Sequence, residues 1–340
     1  MNMNKNLYPL KFTPIYKDRI WAGDRLYGIL EKDVPLAMKA GESWELSGVE
    51  GDVSVVSEGY LAGNDLQELI ETYMGDIVGD DVYDRFGINF PLLIKFIDAA
   101  DALSVQVHPD DKLAGERHNS FGKTEMWYVV DAEPDAQLIS GFNVPVNADK
   151  YCKYVEAGKL TDILHSETVA KGDVFFIPAG RVHAIGAGTL IAEIQQTSDI
   201  TYRIFDWNRV DDNGKPRELH TGQALDAIDY SVVENAKTAY SHIKNESSPV
   251  ADCPYFTTNV IDCDKPVARD FSNIDSFVIY ICTEGLMRID AEDSDPIIMF
   301  KGETVLIPAA IKRWKIVPSP EATCLEVFIN NNVNDGDKES

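Results

Sequence analysis

Gly172-Asp-Val-Phe-Phe-Ile-Pro178-Ala-Gly180-Arg-Val-His183 spells G-x5-P-x-G-x2-H, and the chain spells it again 130 residues later. The second copy, Gly302-Glu-Thr-Val-Leu-Ile-Pro308-Ala-Ala310-Ile-Lys-Arg313, carries Ala at the second glycine and Arg at the histidine. Each copy is a short β-branched and aromatic run opened by glycine and closed by proline, the signature of a strand between turns. A repeat fixes architecture before any single element is assigned. The chain therefore reads as mainly β with some helices, built from two related barrels, and the second lacks the histidine.

Outward from the first copy, PLLIKFIDA (91–99), ALSVQVH (102–108), EMWYVVDA (125–132) and TLIAEIQQ (189–196) are further strand candidates. Around the second copy the pattern resumes in SFVIYICTEG (276–285), PIIMFKGETVLIPAA (296–310) and CLEVFIN (324–330). Residues 64–76 place Leu66, Leu69, Ile70 and Tyr73 at i, i+3, i+4 and i+7 behind Asn64 or Asp65, which predicts a capped amphipathic helix. Helical stretches are also predicted at about 147–165 and 221–228, and a loop at 109–124. The expected division is a catalytic domain over 1–240 with helical insertions, a degenerate barrel over 241–332, and a disordered polar tail over 333–340.

Composition narrows the function. A net charge of −25 repels phosphodiester backbones and argues against a nucleic-acid partner. No run of about 18 apolar residues could span a membrane, and MNMNKNLYPLKF lacks the apolar centre of a signal peptide. Five scattered cysteines without C-x-x-C suit reduced thiols in a cytoplasmic protein. The same negative charge would repel an anionic metabolite, so basic residues gathered near a site carry weight.

The chemistry gathers on four residues. Gln106 and His108 stand at i and i+2, which on a strand sends both side chains to one face. Two polar groups turned into a barrel need partners, because burying them unpaired costs a few kcal/mol. A shared divalent metal supplies one. G-x5-P-x-G-x2-H is the second half-motif of the cupin (jelly-roll) barrel, whose final histidine, here His183, is a ligand. The first half-motif usually reads H-x-H and then a Glu; here Gln106 replaces the first His, and Glu125 follows only after the inserted loop. Two imidazoles, a carboxylate and an amide oxygen suit zinc, iron, manganese or cobalt by donor type. His118, His165, His220 and His242 have no such context.

Gly41-Glu-Ser-Trp-Glu45, PLLIKFIDA, LSVQVHPDD (103–111), GKTEMWYVV (122–130) and residues 172–209 together resemble the type I mannose-6-phosphate isomerases, in their short bacterial form. That resemblance implies a cupin enzyme that interconverts mannose 6-phosphate and fructose 6-phosphate with one zinc ion per chain. It also accounts for Gln106, since the family's site uses Gln, His, Glu and His. Ile20-Trp21-Ala22-Gly23 departs from the family's two glycines after the tryptophan. By the same resemblance Arg203 is the active-site arginine. As a permanently charged group it would stabilise an enediolate rather than act as the base. Glu193 is the candidate base or the residue that orients a lysine, with Asp206 or a metal-activated hydroxide as alternatives. By the same resemblance Lys95, Ser104 and Lys123 are the expected contacts to the substrate's phosphate, Lys123 alternatively to a sugar oxygen, and Arg209 is expected to join Lys95, Lys123 and Arg203 in attracting the anion. The rival readings are another metal-dependent cupin enzyme, either an oxygenase or an isomerase of a different sugar phosphate, and a non-catalytic sugar-binding protein. The sequence leaves open whether the chain works as a monomer or a homodimer.

Overall fold

Strand Leu92–Ala99 is buried at every position, as LLIKFIDA requires: apolar side chains at both parities leave no face for water. It forms part of an antiparallel six-stranded sheet ordered Ile15–Asp18, Ala40–Leu46, Leu92–Ala99, Thr189–Gln196, Glu125–Ala132 and Val174–Ile177. The computed structural model describes residues 6–210 and 214–330. The expected disordered tail lies outside the described residues.

One face of the six-stranded sheet meets a five-stranded sheet ordered Tyr202–Phe205, Val105–Val107, His183–Ile185, Gln137–Phe142 and Leu164–Thr168. Ile97, Trp127, Val129 and Ile191 from the first sheet share a core with Leu138 and Ile185 from the second. The opposite face buries Phe96, Met126, Tyr128 and Ile194 against Val260, Ile279, Ile281 and Val327 of a third, eight-stranded sheet. None of the three sheets closes on itself.

The two copies of the repeat fold alike. Gly172 and Gly302 both hold positive φ (90° and 86°), each opening a four-residue strand, Val174–Ile177 or Thr304–Ile307. Each glycine N–H donates 2.8 Å to a neighbouring strand, at Val129 and Cys282 respectively. After each strand a tight turn closes on the proline carbonyl, from Arg181 to Pro178 and from Ile311 to Pro308. The eight-stranded sheet is dominated by two long strands, Val278–Ala291 and Arg313–Phe328, so the predicted runs 276–285 and 324–330 are segments of longer elements. Leu10–Lys11 pairs with Leu306 and Val305, so the first strand of the chain completes this C-terminal sheet.

Helix Leu66–Tyr73 carries the predicted cap: Asp65 and Glu68 form a reciprocal capping box. The helix predicted over 147–165 is shorter, running Ala148–Glu156. Gly158 at φ 67° ends the helical path, and a 3-10 turn follows at Leu160–Ile163. Thr221–Ala227 is helical as expected. The loop predicted at 109–124 contains a helix, Asp111–His118, capped by Asp110 and ended by Asn119 in the left-handed conformation. Its only buried residue is Ala114, so it offers no apolar stripe by which to be recognised. Among the described residues no helix is long and apolar enough to cross a membrane, and all five cysteines are free thiols.

Candidate functional site

Strand register assembles the site. Gln106 lies opposite His183 on one side and Arg203 on the other, across three neighbouring strands of the five-stranded sheet. On the facing sheet Lys95 lies opposite Trp44 and Glu193, Glu193 opposite Trp127, and Glu125 opposite Gln195. Residues scattered from 44 to 203 are thus brought to the space between two sheets.

His108, Glu125 and His183 are fully buried and present donor atoms that all lie within 4.8 Å of one another. His108 Nε2 is 3.5 Å and His183 Nε2 3.3 Å from different oxygens of Glu125. Each imidazole is fixed from behind, His108 Nδ1 by the Ile200 carbonyl at 2.9 Å and His183 Nδ1 by the Arg181 carbonyl at 2.8 Å. A carbonyl can only accept, so each Nδ1 carries the proton and each Nε2 lone pair turns inward. This is how ligand histidines are held. Burial, then Lys123, keep His108 well below the usual imidazole range, and burial keeps His183 at about 4, so both rings are neutral. Gln106 Nε2 sits 3.2 Å from His183 Nε2, and half a turn of its amide brings Oε1 to the same point. His108 Nε2 and both Glu125 oxygens have no hydrogen-bond partner among the described residues. Burial, then Glu193, push Glu125 up to about 7 against the pull of Lys123. Inward lone pairs around a buried carboxylate whose nearest cation is the Lys123 ammonium at 3.3 Å fit one divalent cation.

Beside this cluster lies a cavity of about 400 Å³. Of the sequence-predicted residues, Lys95, Ser104, Gln106, Lys123, Glu193 and Arg203 line it. Arg209 does not; its guanidinium is taken by Asp206 at 2.6 Å and the Ala102 carbonyl at 2.6 Å. Lys95 pairs with Glu193 at 3.1 Å, and Trp127 Nε1 donates to Glu193 at 2.9 Å. Burial opposes ionisation of Glu193, but Lys95 and Lys123 prevail and hold it below the usual carboxylate range. Lys123 pairs with Glu125 at 3.3 Å. Asp206 is also held low: burial raises it, but hydrogen bonds from Arg217 and Arg209 outweigh that, which leaves it a weak base.

The cavity also has walls that sequence reasoning missed: Arg19, Trp21, Glu42, Trp44, Thr201 and Arg217. Glu42 and Trp44 stand at i and i+2 on strand Ala40–Leu46, so strand parity could have found them. Burial works against the Glu42 carboxylate, yet Lys95 and Arg19 hold it at about 2, with Arg19 Nε bonded at 2.7 Å. Arg217 sits in irregular chain and carried no signal. Of the four histidines without context, three do not touch the site. His220 supports it, since its Nδ1 accepts the Arg203 backbone N–H at 3.1 Å.

Fold and site together define a β-sheet protein with a candidate metal centre beside a charged cavity. Comparison with known proteins identifies the family. Residues 9–135 match the model for phosphomannose isomerase type I, catalytic domain. The chain is 34% identical to the mannose-6-phosphate isomerase ManA of Bacillus subtilis (strain 168) over 91% of its own length and 95% of that protein's. It is also 34% identical to the mannose-6-phosphate isomerase of Streptococcus mutans, over 90% and 94% respectively. The crystal structure of the mannose 6-phosphate isomerase from Bacillus subtilis superposes with a TM-score of 0.84 at 29% identity, covering 94% of this chain and 99% of that one. A phosphomannose isomerase mutant from Salmonella typhimurium shares the fold with a TM-score of 0.78, at 14% identity. The chain belongs to the type I phosphomannose isomerases.

Proposed function

We propose that this protein interconverts mannose 6-phosphate and fructose 6-phosphate, with one zinc ion held by Gln106, His108, Glu125 and His183. The observation that carries the reading is the buried His108–Glu125–His183 cluster, its lone pairs turned inward, beside a cavity that Arg203 also lines. When bound, the metal supplies a Lewis acid that stabilises negative charge on the sugar's C1 or C2 oxygen. Arg203 adds a fixed positive charge against the developing enediolate. Glu193 either takes the proton or holds Lys95 in place. Its pairing with Lys95 and its lowered affinity for protons favour the second role. Lys95, Ser104 and Lys123 line the cavity, which supports them as the contacts to the substrate's phosphate and hydroxyl oxygens.

The domain reading belongs to the same proposal: residues 1–240 form the catalytic cupin-like domain with helical insertions and 241–332 a degenerate cupin-like unit that supports it. The matching turn geometry at Gly172 and Gly302 favours this, with Leu10–Lys11 crossing to the second unit. The deciding experiment incubates purified protein with mannose 6-phosphate and follows fructose 6-phosphate before chelation, after it, and after zinc is restored. Turnover that disappears and returns supports the reading; absence of turnover with zinc present sinks it.

A further inference from the structure

Asp111 stands three residues beyond His108, and Gly122 three residues before Glu125. Two hydrogen bonds close the base of the inserted segment between them. Asp111 Oδ1 accepts the Gly122 N–H at 2.8 Å, and the Lys123 N–H donates to the Pro109 carbonyl at 3.1 Å. A Cβ at position 122 would lie 2.4 Å from the Asp111 nitrogen, so the approach requires glycine. Two metal donors joined only by a loose loop would pay its closure entropy on every encounter with the ion, and this closure removes that cost in advance. Gln196, buried on strand Thr189–Gln196, ties the closure to the six-stranded sheet. Its Nε2 donates to Asp111 Oδ1 at 3.0 Å and its Oε1 accepts the Thr124 N–H at 2.8 Å.

The other oxygen of Asp111 faces the eight-stranded sheet. Oδ2 accepts the Tyr255 hydroxyl at 2.7 Å, from the turn between strands Ser247–Asp252 and Thr257–Cys263. That turn is itself held: Cys253 N donates to the Phe256 carbonyl at 3.1 Å, and Arg85 Nη1 to the Pro254 carbonyl at 2.9 Å. Phe86, beside Arg85, packs edge-on against Phe121 at 6.1 Å, one residue before Gly122. Three uncharged donors, from the insert and from two sheets, thus converge on one carboxylate. We infer that Tyr255 is a positioning residue for the candidate metal centre, acting through Asp111 on the backbone that carries Lys123 and Glu125. The eight-stranded sheet, which adds no side chain to the cluster or to the cavity lining among the described residues, thereby helps to set metal affinity. The inference rests on the metal reading of the cluster.

The test compares wild type with Tyr255→Phe, Asp111→Ala, the double variant and Asp111→Asn. Zinc affinity is read by competition with a chromophoric chelator, and the geometry of the centre by the visible spectrum after cobalt loading. Asp111→Ala is expected to weaken zinc binding by roughly 10- to 100-fold, the scale of losing a group that orients a metal ligand. Tyr255→Phe removes one hydrogen bond and should weaken it about 3- to 10-fold. Because Tyr255 acts through Asp111, the double variant should bind zinc no worse than Asp111→Ala alone. Asp111→Asn keeps an acceptor for Gly122 and Gln196 and should recover most of the loss. The cobalt spectrum should shift in Asp111→Ala and, less, in Tyr255→Phe. Melting of the metal-free forms separates positioning from folding, since Tyr255→Phe should stay within about 4 °C of wild type while its affinity falls. Affinities and spectra that match wild type in both single variants overturn the inference. So do losses that multiply in the double variant, which would give Tyr255 a route of its own. If Asp111→Ala does not fold, Tyr255→Phe decides alone, through its affinity and its spectrum. A wild type that takes up no zinc sinks the metal reading and the inference with it, whereas a wild type and variants that load equally sink the inference alone.

Discussion

Glu326 and Glu125 are both wholly buried carboxylates, one in the C-terminal sheet and one at the candidate metal centre. Glu326 accepts two N–H groups of Arg269 at 2.7 Å, the Tyr280 hydroxyl at 2.6 Å and the Asn259 amide at 2.9 Å. Among the described residues Glu125 has no hydrogen-bond partner; it faces two imidazole lone pairs, with the Lys123 ammonium at 3.3 Å. Desolvating a carboxylate costs several kcal/mol, so each must find a counter-charge. In the C-terminal unit the chain provides its own guanidinium. At the candidate centre it provides the donor set of the proposed metal site, with the Lys123 ammonium alongside. The repeat tells the same story at its last position: His183 is buried among the donors, whereas Arg313 is exposed and pairs with Asp270 at 3.0 Å.

That contrast can be broken experimentally. His183→Ala should reduce bound metal from one per chain to near zero, measured by elemental analysis, and lower turnover by roughly 10³-fold or more, beyond the loss of a single charge-stabilising group. Retained metal in that variant would show that the cluster is not the binding site. Glu326→Ala should do the opposite. It leaves the Arg269 guanidinium and the Tyr280 hydroxyl proton unmatched, costing about 3–5 kcal/mol in denaturant unfolding while metal content stays at one per chain.

Arg203→Ala is expected to keep its metal and lose about 10²–10³-fold in kcat, the scale of removing one preorganised charge from a transition state. Metal loss in that variant would overturn its assignment. Glu42 offers a test by pH. Its carboxyl is held at about 2 against an ordinary 4.5, so the stability it contributes is complete above pH 4.5 and is lost as pH falls towards 2. Glu42→Gln should flatten the decline of melting temperature across that window. The smallest effect is expected of Arg313→His. Restoring the histidine of the repeat at an exposed position should change stability by less than about 0.5 kcal/mol and add no second metal.

Much of the centre was legible in the sequence because its information is local. Strand parity places Gln106 and His108 on one face, and the glycine–proline frame fixes the turn that delivers His183. Helix Leu66–Tyr73 and its cap follow from short-range rules of the same kind. Glu125, standing after an inserted segment, was reached through resemblance to a family rather than by spacing. The helix Asp111–His118 escaped because its face is polar. Arg19 and Arg217 escaped because nothing near them in the chain marks them.

The sequence by itself determined the β-rich character, the repeat and the donor set, since alternation along a strand and the conformational needs of Gly and Pro act over a few residues. Only the tertiary structure decided which charges are already paired. Lys95 belongs to Glu193, and Arg209 and Arg217 share Asp206. Of that pair Arg217 lines the cavity, and Leu10–Lys11 completes the sheet at the far end of the chain. Cross-strand register and desolvation act between residues tens to hundreds of positions apart, and these pairings become fixed only when the sheets pack.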